Sequence, residues 1–314
     1  MILENEIHPE CAFCSSTSLV SSDSPLDYEY GVQPPRKFLF FECNHCQGRT
    51  ILPRPSIEEL HSFYPKDYHA YQLEGDFLLD FLLKRRNRLR AKHIQRLVGK
   101  QKISLFDVGP GVCRHFTEFA KYGDFEFAGV ELNSDMVRQA KNSGYEIEQG
   151  TLEELDISSY KGKYDVVTMY NLLEHVLDPQ LLLQKSFDLL KPGGYILGQL
   201  PSTDCIDLKF FGRFWSGYHF PRHLQLTDRK GLINFFKSSG FDNVSIKRCF
   251  HVGSGLSLQN ILVDKGWLTR LGYGRTSLYW HLIAVMAPLI IYEYALDRSA
   301  FVNFYAQKPA VDLN

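Results

Sequence analysis

The sequence lacks an excess of charge of either sign: 35 lysine and arginine residues stand against 36 aspartate and glutamate residues. A protein that binds nucleic acid along its backbone usually carries a marked positive excess, because it must neutralise phosphates. The balance therefore argues against a nucleic-acid partner for the chain as a whole. With 314 residues, the chain is long enough for about two domains with buried cores.

Long apolar runs are also scarce. The run from Leu282 to Tyr292 has eleven residues and contains Pro288, whereas a membrane-spanning helix needs about 20 apolar residues. We therefore predict a buried helix or a dimer surface here, with a helix lying in a membrane interface as the alternative. The first ten residues include three glutamates in place of the basic and apolar stretches of a secretory signal, so a cytoplasmic location is expected.

The seven cysteines do not have the spacing of a disulfide framework. Four of them form two Cys-x-x-Cys pairs with 28 residues between the pairs. Two such pairs can supply four thiolates at about 2.3 Å, the closed tetrahedral shell of a structural zinc ion. The spacing predicts a zinc site, and reduced or redox-active thiols are the alternative. The predicted ligands are Cys11, Cys14, Cys43 and Cys46.

A basic amphipathic helix is predicted between Asp76 and Val98, where apolar residues recur at helical spacing beside seven lysine and arginine residues. Its basic face is either exposed to solvent or in contact with phosphate, as at an anionic membrane or a phosphate-bearing substrate. Ser56, followed by Glu59 three residues later, predicts a shorter helix upstream.

Beyond Lys102 the pattern becomes strand, glycine turn, helix and strand, which is typical of an open parallel sheet covered by helices. Gly109 and Gly111 follow the first strand and allow a ligand to approach the backbone. The next strand ends at Glu131, where a carboxylate can accept hydrogen bonds from both ribose hydroxyls of an adenosine. Cys113 and the residues around it supply no third glycine, which argues against a dinucleotide.

Four segments in order resemble the motif series of class I S-adenosylmethionine-dependent methyltransferases. They are Asp107 to Gly111, Glu131, Tyr164 to Val176 and Leu190 to Leu197. The resemblance covers about residues 103–240, and the Cys-x-x-Cys pairs resemble those of a subgroup with an N-terminal zinc-ribbon-like module. It implies an α/β fold with a doubly wound, seven-stranded, mostly parallel Rossmann-like sheet and a small N-terminal zinc-binding module. The implied cofactors are S-adenosylmethionine and a structural zinc ion.

The same resemblance implies which residues contact S-adenosylmethionine. Thr151 stands where the family more often has aspartate, so the backbone is expected to contact the adenine amino group. The implied contacts come from the ends of four strands: Asp107, Gly109, Gly111, Glu131, Thr151, Leu152 and Asn171.

Transfer of a methyl group to a hydroxyl requires a base, and histidine is the natural candidate. His175 follows the fourth strand of the sheet, at the edge where ligands bind, and either acts as a base or bonds the turn at Asp178. His223 is the leading candidate, because its segment resembles a recurring element of the subgroup. The alternative for His223 is a structural histidine that orients its loop.

Aromatic residues make up six of the eleven positions from 210 to 220. They fit neither a helix nor a strand period, so we predict an aromatic lid at residues 201–227 that covers the crevice and excludes water. A small second core under a long loop is the alternative.

These predictions divide the chain into a zinc module at residues 1–70, a linking helix at 71–100 and a methyltransferase domain at 101–314. The expected acceptor is a hydroxyl of a small molecule or of a surface glycan. The alternatives are carbon methylation of a deoxysugar nucleotide and a non-catalytic binding or scaffold protein that retains the fold. We expect no nucleic acid as partner, and a peripheral contact with the inner face of a membrane and a homo-oligomer are further hypotheses.

Overall fold

The computed structural model describes residues 9–22, 25–66, 68, 77–271 and 274–310. The predicted boundary between residues 70 and 71 lies outside the described residues, as do Asp76 and the first eight residues. The described helix nearest that boundary is α2, Phe77–Val98.

The larger of two β-sheets carries seven strands in the order β10-β11-β8-β7-β4-β5-β6. Strand β11 runs antiparallel to both of its neighbours, β8 and β10, and the other pairings are parallel. This mostly parallel sheet confirms the predicted fold class. Its strands are β4 Lys102–Val108, β5 Asp124–Glu131, β6 Glu146–Gln149, β7 Tyr164–Tyr170, β8 Leu190–Pro201, β10 Asp242–Arg248 and β11 Phe301–Gln307.

The described helices connect these strands and pack beside the sheet. Side-chain caps define several of their first residues, since a cap satisfies backbone N–H groups that lack helical partners. Asn133 caps α4 and Asp178 caps α5. Asp228 caps α7. The helices of this part are α3 Arg114–Phe119, α4 Ser134–Asn142, α5 Pro179–Leu189, α6 Ile206–Phe211, α7 Arg229–Ser238, α8 Gly253–Asp264 and α9 Tyr279–Ala295.

The smaller sheet has the order β1-β2-β3-β9 and is antiparallel in every pairing. Its first three strands are β1 Leu19–Ser21, β2 Leu39–Cys43 and β3 Arg49–Leu52, and α1 Ile57–Ser62 follows them. Its fourth strand, β9 Gln225–Leu226, comes from the segment predicted as an aromatic lid. The N-terminal residues and this distant segment therefore share one sheet.

The aromatic segment is more regular than predicted, because it contains α6 and two short 3-10 turns at 212–214 and 216–218. Trp215, Tyr218 and Phe220 are buried in a second hydrophobic core, whereas Phe210 is 70% exposed. These three side chains therefore pack as the alternative to the aromatic lid predicted, in a small second core. Much of the rest of this core comes from the N-terminal residues Phe38, Phe40, Ile51, Leu60 and Phe63.

Among the described helices, none combines the length and the apolarity needed to cross a membrane.

Candidate active site

The first turn of the seven-stranded sheet contains the two glycines predicted to admit a ligand. Gly109 and Gly111 follow β4 with φ angles of +73° and +60°, a region that side chains rarely adopt. A Cβ atom at Gly109 would lie 2.9 Å from Cδ1 of Leu172. Cys113 also has a positive φ, of +57°, and it precedes α3 directly.

The Glu131 carboxylate lies against this turn, at the end of the neighbouring strand β5. One oxygen accepts a hydrogen bond from the backbone N–H of Gly111 at 2.9 Å, and the other accepts one from Asn133 at 2.9 Å. Burial raises the pKa of Glu131 above its ordinary value. The two backbone bonds hold the carboxylate in place beside the glycine turn.

The remaining cofactor candidates lie at or near the same edge of the sheet, in different environments. Asp107 is buried at the end of β4, and its carboxylate contacts His115 Nε2. Leu152 is fully buried, backbone and side chain alike. The Thr151 hydroxyl accepts a hydrogen bond from the backbone of Glu154.

Asn171 is exposed at the end of β7 and has a φ of +54°. The ring of the preceding residue, Tyr170, packs against Arg90, a residue of the basic helix that the sequence alone did not place at this site. The Arg90 guanidinium of α2 is 3.5 Å from the centroid of the Tyr170 ring and donates a hydrogen bond to the Gln199 side chain at 2.6 Å. Part of the basic helix therefore faces the sheet edge.

The two predicted bases lie together. The rings of His175 and His223 are 4.6 Å apart between centroids, and His219 lies 5.0 Å from His223. The Nδ1 atom of His223 is 2.7 Å from the carbonyl oxygen of Gly217. The Nδ1 atom of His175 is 3.0 Å from the Tyr64 hydroxyl and 3.1 Å from a backbone oxygen, that of Arg222.

Glu174 completes this group, which we call the histidine cluster (Glu174, His175 and His223). Its Oε1 atom lies 4.0 Å from Nε2 of His223. Burial raises the pKa of Glu174 to about 8 and lowers the pKa of His223 well below its usual value. Both groups are therefore driven towards their neutral forms.

A buried ion-pair network supports the histidine cluster from outside. Arg222 pairs with Asp27 at 2.9 Å, with both side chains almost inaccessible, and it donates to His219 at 3.0 Å. His219 in turn lies 3.0 Å from Glu29. Sequence reasoning missed these acids, and the only local signal was two acidic residues alternating with tyrosines at 27–30.

The four predicted zinc ligands also come together. Cys11 and Cys46 have their sulfur atoms 3.5 Å apart, and Cys14 and Cys43 have theirs 3.6 Å apart. All four sulfur atoms lie within 4.8 Å of one another.

The chain belongs to a methyltransferase family: the family model described as "Methyltransferase domain" matches residues 82–246, more than half of the chain. The family that the sequence motifs resemble is confirmed at this level.

Curated relatives carry the name ubiquinone biosynthesis O-methyltransferase. The protein of that name from Albidiferax ferrireducens is 30% identical over 163 residues, which cover 50% of this chain and 62% of the relative. The one from Escherichia coli is 34% identical over 144 residues, which cover 44% of this chain and 58% of the relative. The chain thus matches about three fifths of the length of these relatives.

Solved structures with a similar arrangement are more distant. A SAM-dependent methyltransferase from Thermotoga maritima has 17% identity and a TM-score of 0.48, covering 73% of this chain and 92% of its own. The phosphoethanolamine N-methyltransferase 2 of Haemonchus contortus, in complex with S-adenosyl-L-methionine, has 17% identity and a TM-score of 0.49. That match covers 70% of this chain and 52% of the Haemonchus chain.

Proposed function

We propose that the protein transfers a methyl group from S-adenosylmethionine to an oxygen atom of a small-molecule or glycan acceptor. The observation that carries this proposal is the pairing of the Gly109–Gly111 turn with the Glu131 carboxylate at the ends of adjacent strands. Such a pairing suits an adenosine whose ribose hydroxyls donate to the acid. Family membership agrees with this chemistry.

Each group at the turn has a separate task in this proposal. The two glycines keep side chains out of the space that the ligand needs, and Glu131 holds the ribose. When bound, the cofactor supplies an electrophilic methyl group on a sulfonium. The residues then have to align donor and acceptor and receive a proton from the acceptor hydroxyl.

The choice of oxygen as the acceptor atom is supported by the relatives, which are named O-methyltransferases. The glycan acceptor is supported by the resemblance of the N-terminal module, and the same resemblance supports the alternative, carbon methylation of a deoxysugar nucleotide.

Calorimetry with S-adenosylmethionine tests the proposal directly, since the full-length protein should bind the cofactor with a stoichiometry of one. Production of S-adenosylhomocysteine with panels of phenolic and sugar hydroxyl acceptors then tests the transfer. If the folded protein does not bind the cofactor, the proposed methyltransferase activity is contradicted, and a non-catalytic binding or scaffold protein becomes the better interpretation.

His223 and His175 are the proposed bases, because their rings lie 4.6 Å apart and the bond from Nδ1 of His223 to the Gly217 carbonyl leaves Nε2 of His223 with a lone pair. Turnover of His223→Ala and His175→Ala on an identified acceptor should fall by about 100-fold or more in at least one variant. Unchanged turnover in both would reject this role.

We propose that the four cysteines bind structural zinc. The sulfur separations of 3.5 and 3.6 Å are close to the about 3.75 Å expected between sulfurs around one tetrahedral ion. Gly48 supports this geometry, because a Cβ atom there would lie 2.5 Å from the Phe13 ring. Metal analysis under reducing conditions should find zinc bound through sulfur, and its absence would contradict the site.

We also propose a peripheral membrane contact through α9, in line with a cytoplasmic protein at the inner membrane face. Val285 and Ile291 of this helix are 67% and 60% exposed although both are apolar. The protein should float with vesicles that contain anionic lipid, and Val285→Lys with Ile291→Lys should abolish flotation. Wild-type protein that stays at the bottom of the gradient would reject the contact.

A further inference from the structure

The histidine cluster has the composition of a metal site as well as that of an acid–base group. Each of its three side chains offers one ligand atom, and these atoms all lie within 4.8 Å of one another. Glu174 and His175 follow β7, whereas His223 precedes β9, so two distant parts of the chain meet here. Glu174 and His223 are buried.

A hydrogen bond sets the tautomer of the His223 ring. Its Nδ1 lies 2.7 Å from the carbonyl oxygen of Gly217, and a carbonyl oxygen can only accept, so Nδ1 carries the proton and Nε2 keeps a lone pair. Nδ1 of His175 lies between the carbonyl oxygen of Arg222 and the Tyr64 hydroxyl, and the tautomer that donates to the carbonyl leaves its Nε2 with a lone pair as well. Histidine ligands in metal sites are commonly oriented in this way by a bond from the second nitrogen.

The Glu174 carboxyl group lacks any compensating partner among the described residues. Both of its oxygen atoms are buried, and neither has a hydrogen-bond partner there. Burial of a polar group without a partner is costly, and a native structure usually resolves it with water or an ion. The neighbouring His223 nitrogen, at 4.0 Å, is too distant for a hydrogen bond.

We propose that Glu174, His175 and His223 bind a divalent transition-metal ion, Zn²⁺ or Fe²⁺ by donor type. Two imidazole nitrogens and one carboxylate are the ligands of many catalytic zinc and non-haem iron sites. Three protein ligands leave at least one coordination position open. The four-cysteine site, by contrast, is closed.

The geometry requires a modest contraction on binding. Ligand atoms around a tetrahedral ion with bonds of about 2.1 Å lie about 3.4 Å apart. The present separations reach 4.0 Å for the Glu174–His223 pair and do not exceed 4.8 Å in the cluster. Side-chain torsions can close such a gap of about 1 Å without moving the strands.

The surrounding charges are compatible with a cation. Two cations lie beside the histidine cluster: Arg222, which Asp27 neutralises at 2.9 Å, and Arg54, which donates to the backbone oxygens of Val176 and Leu224. Glu29 lies 3.0 Å from His219 and adds a second negative charge to the network. The supporting network therefore does not present an uncompensated positive charge to the ion.

The ion would act on the acceptor hydroxyl. This catalytic role rests on the proposed function. An acceptor hydroxyl bound at the open position loses its proton to solvent more readily, because the ion lowers its pKa. The oxygen forms a bond to the methyl carbon while the carbon–sulfur bond breaks, and the electron pair of that bond stays on sulfur as S-adenosylhomocysteine. No group is oxidised or reduced. His175 and His223 are ligands when the ion is bound, and the role of base proposed above applies to the protein without the ion.

Metal counting in the full-length protein tests the site. After saturation with Zn²⁺ and removal of free metal, wild type should hold two ions, one bound through sulfur and one through nitrogen and oxygen. Glu174→Gln and His223→Asn should lose the second ion, with affinity reduced at least about tenfold. The control His281→Asn, an exposed histidine on α9, should keep both ions.

X-ray absorption at the zinc edge of wild type assigns the ligands even if a variant fails to fold. Sulfur scatterers alone, or a second ion retained in both cluster variants, would overturn the proposal. Calorimetry with S-adenosylmethionine on the same samples separates the questions, because absent cofactor binding rejects the proposed function without changing the metal count. A chelator that removes only the second ion should reduce turnover at least tenfold, and unchanged turnover would overturn its catalytic part.

Discussion

The position of Glu131 depends on two backbone N–H groups, those of Gly111 and Asn133. These bonds fix the carboxylate before any ligand arrives, so little conformational freedom is lost on binding. A single side chain therefore accounts for much of the expected affinity for an adenosine.

We expect Glu131→Ala to weaken S-adenosylmethionine binding by about 10- to 100-fold, because hydrogen bonds to a charged group contribute about 1.5–3 kcal/mol. Calorimetry measures the change. Glu126→Ala provides a matched control, since Glu126 is an exposed acid on the same strand. Equal affinities for wild type and Glu131→Ala would contradict the ribose contact.

Gly109 and Gly144 allow backbone strain to be separated from ligand exclusion. Both have positive φ; an added Cβ at Gly109 would lie 2.9 Å from Leu172, whereas nothing lies within 4 Å of one at Gly144. Alanine at either position should cost about 1 kcal/mol of stability through the backbone, and Gly109→Ala should cost more because of the Leu172 contact. Only Gly109→Ala should also abolish cofactor binding, and similar binding by both variants would show that the turn does not approach the ligand.

Residues such as Gly109 and Glu131 were predictable because their signals are local: a glycine turn, then an acid at the end of the next strand. The Asp27–Arg222 pair was not predictable, because its partners are 195 residues apart in sequence. Glu174 was visible beside His175, but its burial and lack of partners are properties of the folded chain.

At the scale of elements, α6 and α9 meet through two buried acids. The carboxylate of Glu293 accepts a hydrogen bond from the backbone N–H of Asp207 at 2.7 Å. Burial raises the pKa of Asp207 to about 6, and burial together with the Asp207 charge raises the pKa of Glu293 to about 7. In the folded state both acids therefore resist ionisation.

This pair should make the protein less stable as pH rises. Below about pH 4 both acids are protonated whether the chain is folded or unfolded, so they contribute no pH dependence. Between about pH 4 and 7 the unfolded chain ionises first and the free energy of unfolding falls. The double variant Asp207→Asn with Glu293→Gln lacks these ionisations. In urea unfolding, its free energy of unfolding relative to that of wild type should rise by about 1–3 kcal/mol between pH 5 and pH 8. A difference in the free energy of unfolding that does not change with pH would contradict the raised pKa values of these two acids.

Several strands and the cap of α1 could be predicted because periodicity, turns and capping residues lie within a few positions. The capping box of Ser56 and Glu59 forms as predicted. The aromatic segment was harder to interpret, because the residues that bury Trp215, Tyr218 and Phe220 belong to the N-terminal part. No period within the segment could reveal that partner.

At the scale of the whole molecule, four kinds of contact join the N-terminal part to the methyltransferase part. Strand β9 extends the smaller sheet, and the aromatic side chains fill the second core. The Arg54 guanidinium donates to the backbone oxygens of Val176, Leu177 and Leu224. The Asp27–Arg222 pair adds a buried ionic contact.

Removal of that ionic contact should be severe. Asp27→Ala leaves the Arg222 cation buried without its carboxylate, so we expect a loss of about 3–5 kcal/mol in the free energy of unfolding. Asp80→Ala, which breaks an exposed pair with Lys84, should cost under about 1 kcal/mol. Chemical denaturation compares them, and equal losses would show that the buried pair is not a stabilising link.

The four-stranded sheet has a practical consequence for anyone who divides this polypeptide. A fragment that starts at residue 101 would keep every strand of the seven-stranded sheet, yet it would leave β9 without β3 and uncover Trp215, Tyr218 and Phe220. Unpaired edges and bare aromatic surface favour self-association. Such a fragment should accumulate in inclusion bodies, and adding the missing N-terminal stretch as a separate peptide is the natural rescue to attempt.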